Sequence, residues 1–272
     1  MSKATGKTTP TNMRGGAVIL RSISIFLTSG RSARALNQQA VKTKVKKMSD
    51  KDSKNKISVR LLEAAKRDTH FSRSEIEGLY KVYRKLISMN RPKTNQEKGA
   101  ASSSIMGKPT TVHEGVDKVV FRELLHSSFD IVTEDMMMDR IFCVWDKANA
   151  GLIIPEAWFC GLSIFLRGTL AEQTDFCFSV YDLNADGYIT KDEMFQLLRN
   201  SLIKQPQDED PDEGVKDLIE IVLRKLDKDK DGKISLEDYR QSVLEEPLLL
   251  EAFGRCLPNE RARDTFITTM KM

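Results

Sequence analysis

Three stretches of this chain repeat one spacing: an aromatic residue or leucine, an aspartate, a glycine five positions on and an isoleucine two beyond it. They run Trp145-Asp146 to Gly151 and Ile153, Tyr181-Asp182 to Gly187 and Ile189, and Leu226-Asp227 to Gly232 and Ile234. Successive copies lie about 40 residues apart, room for a helix, a tight loop and a second helix. Helical apolar faces flank the last two copies: Phe176, Cys177, Val180 and Tyr181, then Met194, Leu197 and Leu198; Ile219, Val222, Leu223 and Leu226, then Tyr239 and Val243. No strand of ordinary length is legible, so the expected fold is all-α, built from paired helix-loop-helix units.

Each repeat resembles the EF-hand, whose twelve-residue loop takes side-chain oxygens at positions 1, 3 and 5, a glycine at 6, a carbonyl at 7, a water-bridged ligand at 9 and a bidentate carboxylate at 12. The loop from Asp182 to Glu193 meets every requirement. Asp182, Asn184 and Asp186 supply the first oxygens, Tyr188 its carbonyl, Thr190 the water-bridging position and Glu193 the closing carboxylate. The loop from Asp227 to Asp238 offers Asp227, Asp229, Asp231, the Lys233 carbonyl and Ser235, but closes with Asp238, one methylene shorter. Weaker calcium binding and better tolerance of six-coordinate magnesium are expected there. The loop from Asp146 to Ala157 has Ala148, Ala150 and Ala157 at positions 3, 5 and 12, so no calcium is expected in it. Ile189 and Ile234, at the eighth positions, should pair as a short β-bridge joining the two good loops.

Four segments follow. Residues 1–55 form a basic, polar arm, read as disordered; its first 49 residues carry ten basic side chains and no acidic one, whereas from Asp50 onward the chain has a net charge of −6. The arm reads in three ways: a solvated tail or an extension absent from the mature chain, an electrostatic arm, or a cleaved transit peptide. Residues 56–168 form a degenerate lobe whose helices, around Tyr80 and Phe121, are separated by a long polar connection from Met89 to Val116; packing is its expected role. Residues 169–245 hold the ion-binding pair, and residues 246–272 a C-terminal helix and tail. Within that tail, Pro247 to Leu257 is apolar enough to cover a groove of the kind calcium-sensing lobes expose. Met136, Met137 and Met138 read first as core residues.

Other classes have little support. The four cysteines, Cys143, Cys160, Cys177 and Cys256, show no zinc spacing or disulfide framework, which points to a reducing intracellular compartment. The longest greasy run, Ala17 to Leu27, is far shorter than the roughly 20 residues that span a bilayer. Ser2 stands where N-myristoylation requires glycine. No phosphate loop, nucleophile elbow or HExxH is present, and His70, His113 and His126 lack metal spacing, so no enzyme is expected.

Beyond the loops, Phe165 to Leu170, Ser201 to Pro206, Glu209 to Gly214 and Leu248 to Gly254 make residues 57 to 258 similar to the calaxin family of EF-hand proteins. That resemblance implies a cytoplasmic, cytoskeletal location in the axoneme of cilia or flagella. It also implies a protein partner, a dynein heavy chain or docking-complex component of the outer arm, whose beating calcium tunes. Asp238 agrees with the family; the alanines of the Asp146 loop depart from it. A basic arm could in addition bind the acidic tails of tubulin. No nucleic-acid partner is expected. The competing reading is a regulatory subunit of the neuronal-calcium-sensor or calcineurin B type, acting on a channel or phosphatase.

Overall fold

The structure, a computed structural model, describes residues 56–89, 114–199 and 211–271. The basic arm, most of the polar connection and residues 208–210 of the acidic turn lie outside the described residues. Among those described, ten α-helices and two two-residue strands confirm the all-α expectation.

Five helices make the amino-terminal half: α1 (Val59–Asp68), α2 (Arg73–Met89), α3 (Lys118–Phe129), α4 (Asp135–Trp145) and α5 (Pro155–Arg167). Their starts are set by local chemistry. Ser58 accepts a hydrogen bond from the Leu61 amide and Asp117 from the Val120 amide, each satisfying an amide that the helix leaves unpaired. Pro155 begins α5, where its fixed φ suits the first turn and its missing N–H costs nothing. The two helix pairs meet through reciprocal backbone bonds between Val116 and Ile153, 3.1 and 2.9 Å long. Aromatic rings fill the core, with Trp145 edge-on to both Phe121 and Phe165 at 5.0 Å. The close approach of α5 to that indole requires Gly161, because a Cβ there would sit 2.3 Å from the ring.

The carboxyl-terminal half comprises α6 (Leu170–Tyr181), β1 (Tyr188–Ile189), α7 (Lys191–Leu198), α8 (Pro211–Leu226), β2 (Ile234–Ser235) and α9 (Leu236–Glu245). Strands β1 and β2 are antiparallel, with Ile189 opposite Ile234 and Tyr188 opposite Ser235, the bridge read from the sequence. Helices α6, α7 and α9 each start on a capping box, Thr169 with Glu172, Thr190 with Glu193 and Ser235 with Asp238. In the latter two, the closing residue of the ion loop is also the third residue of the helix that follows.

The tail returns over both halves. A 3-10 turn (Pro247–Glu251) packs against α6 and α9, and α10 (Glu260–Lys271) lies across α2, α3 and α5, with Phe266 4.9 Å from Phe129. The halves also meet at Arg140 of α4. Its guanidinium donates to the carbonyl oxygens of Ser179 at 2.9 Å, Val180 at 3.3 Å and Asp182 at 2.5 Å. Those carbonyls end α6 and open the complete loop, where the helix dipole is negative, so the cation is well placed. No described helix is long and apolar enough to cross a membrane.

Candidate metal centre

All three loops share one backbone. The fourth residue of each has positive φ, at Asn149 (51°), Ala185 (61°) and Lys230 (62°), as does the sixth, at Gly151 (70°), Gly187 (88°) and Gly232 (87°). The first aspartate holds that shape: its carboxylate accepts the glycine N–H at 2.6 Å in Asp146, 2.9 Å in Asp182 and 3.0 Å in Asp227. Position 1 therefore closes the turn whether or not the other ligand positions are filled. Asp146, which also takes the Ala150 amide at 3.0 Å, survives in the alanine-bearing loop as a structural residue. The sequence did not reveal this second role.

In the loop from Asp182 to Glu193 the side chains hydrogen-bond into the turn. Asp186 takes the Tyr188 amide at 2.9 Å, and Asn184 accepts from the Asp186 amide at 2.8 Å. Glu193 is 4% exposed and divides its two oxygens. Oε2 accepts from the Thr190 amide and hydroxyl at 2.9 and 2.8 Å, while Oε1 spans the loop to the Asn184 amide at 3.1 Å. The closing carboxylate thus already reaches the side of the loop that carries position 3.

Asp238 does not reach that far. Its Oδ2 accepts from the Ser235 amide at 3.0 Å and from the Ser235 hydroxyl, and no bond crosses to Asp229. The missing methylene is visible as a missing contact. At the other end of the loop, carboxylate oxygens of Asp227, Asp229 and Asp231 gather within 4.8 Å of one another. Two oxygens on one calcium ion are separated by at most about 5 Å, so this spread fits a single hard cation. Of the seventh residues, whose carbonyls are the expected ligands, Tyr188 lies on β1 and Lys233 immediately precedes β2, and the Lys233 ammonium sits over the Tyr188 ring. Hydrogen bonds thus link Asp182, Asn184, Asp186 and Glu193 around one turn, while among the described residues it is Asp227, Asp229 and Asp231 whose carboxylate oxygens gather closely, with Asp238 held back at its helix start.

The residues next to these loops hold the tail. Tyr181, just before Asp182, donates its hydroxyl hydrogen to the Gly254 carbonyl at 2.6 Å; Tyr239, just after Asp238, donates to the Leu250 carbonyl at 2.5 Å. Phe253, 2% exposed, lies edge-on to Tyr181 at 5.2 Å. Burial pushes both phenol pKa values far up, so they stay neutral donors. Sequence reading found the apolar tail but not its anchors, because a buried tyrosine at helical spacing carries no mark of what its hydroxyl meets.

Comparison with known proteins agrees with this geometry. The EF-hand domain pair family matches residues 172–244. Calaxin of Xenopus laevis is 50% identical over 192 residues, 71% of this chain and 84% of the relative. The chain belongs to the calaxin family. Calaxin of Bos taurus is 47% identical over 197 residues, 72% of this chain and 85% of the relative, and calaxin of Homo sapiens 55% identical over 152 residues, 56% and 72%. With calaxin relatives and an EF-hand pair, this is a calcium-binding EF-hand protein.

Proposed function

We propose that the chain is a non-enzymatic, calcium-responsive adaptor of the axoneme that regulates or docks outer-arm dynein, with one complete and one weaker ion site. The ligands are Asp182, Asn184, Asp186, the Tyr188 carbonyl and Glu193 in the complete site, and Asp227, Asp229, Asp231, the Lys233 carbonyl and Asp238 in the other. A bound calcium ion would supply the positive charge that lets each ring of carboxylates pack closely; magnesium suits the second ring, whose closing residue holds back.

One observation carries the adaptor reading: the strap from Pro247 to Leu257 is fastened by the two tyrosines that adjoin Asp182 and Asp238. Any inward movement of Asp238 turns the start of α9, and Tyr239 travels with it while Tyr181 stays on α6. The two anchors then separate, the strap loses one of them, and the apolar face of the lobe becomes available to an amphipathic partner helix. The dynein assignment comes from the calaxin resemblance, and the basic arm supplies a second, salt-sensitive contact to acidic tubulin tails. Co-sedimentation with isolated axonemal outer-arm dynein and its docking complex, with calcium and with chelator, tests it. Calcium-dependent retention supports the reading; no retention in either condition, with capture by a phosphatase or channel instead, favours the calcineurin B or neuronal-sensor alternative.

A further inference from the structure

The strap has a second fastening that neither calcium binding nor target capture uses. Cys177, in the middle of α6, and Cys256, in the strap, lie with their sulfur atoms 3.2 Å apart, although 79 residues separate them in sequence. Both are fully buried, and the Cys256 sulfur is also 3.5 Å from the Tyr181 hydroxyl. Two thiols this close need a movement of about 1 Å to reach the bond length of a disulfide. The other two cysteines, Cys143 in α4 and Cys160 in α5, are unpaired, Cys143 being exposed and Cys160 half-buried.

We propose that Cys177 and Cys256 form a reversible disulfide that locks the strap over the calcium-binding lobe. The co-reactant is a hydroperoxide. The thiolate of Cys256 attacks one peroxide oxygen; the O–O bond breaks, the sulfur is oxidised by two electrons to a sulfenic acid, and the other oxygen leaves as water after taking up a proton. The Cys177 sulfur then attacks the sulfenic sulfur, the S–S bond forms and the hydroxyl leaves as a second water. In sum, two thiols and one hydrogen peroxide give one disulfide and two waters. A thiol such as glutathione reverses the change by exchange.

The same geometry sets when this happens. Burial, and then the neighbouring Cys256 sulfur, push the Cys177 thiol well up, so under the closed strap Cys177 is a protonated, slow thiol and both sulfurs are shielded from solvent. When the strap lifts, Cys256 leaves with it into solvent and becomes the first site of attack, and reclosure brings Cys177 to the sulfenic acid. Structural disulfides are uncommon in reducing compartments, but transient redox-sensing ones occur there. The disulfide rests on the sulfur geometry alone; its effect as a lock rests on the calcium-driven strap release proposed above.

The experiment treats the full-length protein with hydrogen peroxide at neutral pH, then maps linked peptides without reductant and follows calcium-dependent binding of an apolar fluorescent dye. A peptide joining Cys177 to Cys256, lighter by two hydrogens, is expected, with two of the four thiols still titratable. Oxidised protein is expected to lose the dye response to calcium and to regain it with dithiothreitol, whereas oxidised Cys256→Ala and Cys177→Ala keep it. A link through Cys143 or Cys160, or over-oxidised cysteines with no link, overturns the disulfide. A Cys177 to Cys256 link that leaves the dye response intact overturns the lock. If the reduced protein shows no dye response while the link still forms, the pair stands and the calcium-driven strap reading falls.

Discussion

A single methylene separates the two ion loops. Glu193 sends Oε1 across to the Asn184 amide, whereas Asp238 reaches only Ser235. Asp238→Glu should restore the crossing and raise calcium affinity at the last loop about tenfold, roughly 1.4 kcal/mol, while weakening its tolerance of magnesium; competition titrations with both ions check this. Another carboxylate sets the acid stability of the amino-terminal half. Arg167 beside Glu75 holds its pKa down to about 2, helped by bonds from Ser72 against the opposing effect of burial. Because the folded value lies below the unfolded one, the resulting stability is fully present above the unfolded pKa and disappears as pH falls through the folded value. Glu75→Gln should therefore cost about 2 kcal/mol near neutral pH, with wild type and variant converging as pH falls from about 4.5 toward 2. Urea unfolding at several pH values measures the difference.

At the level of elements, backbone and ligands prove separable. The loop opened by Asp146 keeps positive φ at Asn149 and Gly151 and the bonds of its first aspartate, although positions 3, 5 and 12 are alanine and position 9 is Ile154. Ala148→Asp, Ala150→Asp and Ala157→Glu introduced together should produce an additional calcium-binding event by calorimetry, since the turn that presents them already exists. The expectation that the Asp146 loop takes no ion rests on its alanines, and the β-bridge of Ile189 with Ile234 was legible from the repeat itself. The matching bridge of Val116 with Ile153 was not, because the long polar connection before Val116 breaks the register that reveals a loop. Arg140 was equally hidden: carbonyls at a helix end leave no trace in sequence, so a lone arginine on α4 gives no sign that it caps α6. The paired sulfurs escaped for the same reason, since Cys177 and Cys256 become neighbours only when the strap folds back.

The whole molecule is closed by its own tail, which lies on the ion-binding half through Phe253 and the tyrosine hydroxyls and on the amino-terminal half through α10. Phe266 is buried there against Phe129, so Phe266→Ala should cost about 3 kcal/mol. The loss should appear in the thermal midpoint without changing calcium affinity, because α10 packs on α2, α3 and α5 of the amino-terminal half. In the proposed adaptor role, the chain carries its own competitor for partners. In the proposed mechanism calcium acts by loosening one anchor of that tail, and an ion site that could not form would leave the tail permanently seated. The most direct measurement is calorimetric titration of the full-length protein with calcium, beside Glu193→Gln. Two binding events of unequal strength are predicted for the wild type and only the weaker for the variant; identical isotherms, or no heat from either protein at millimolar calcium, would contradict the account.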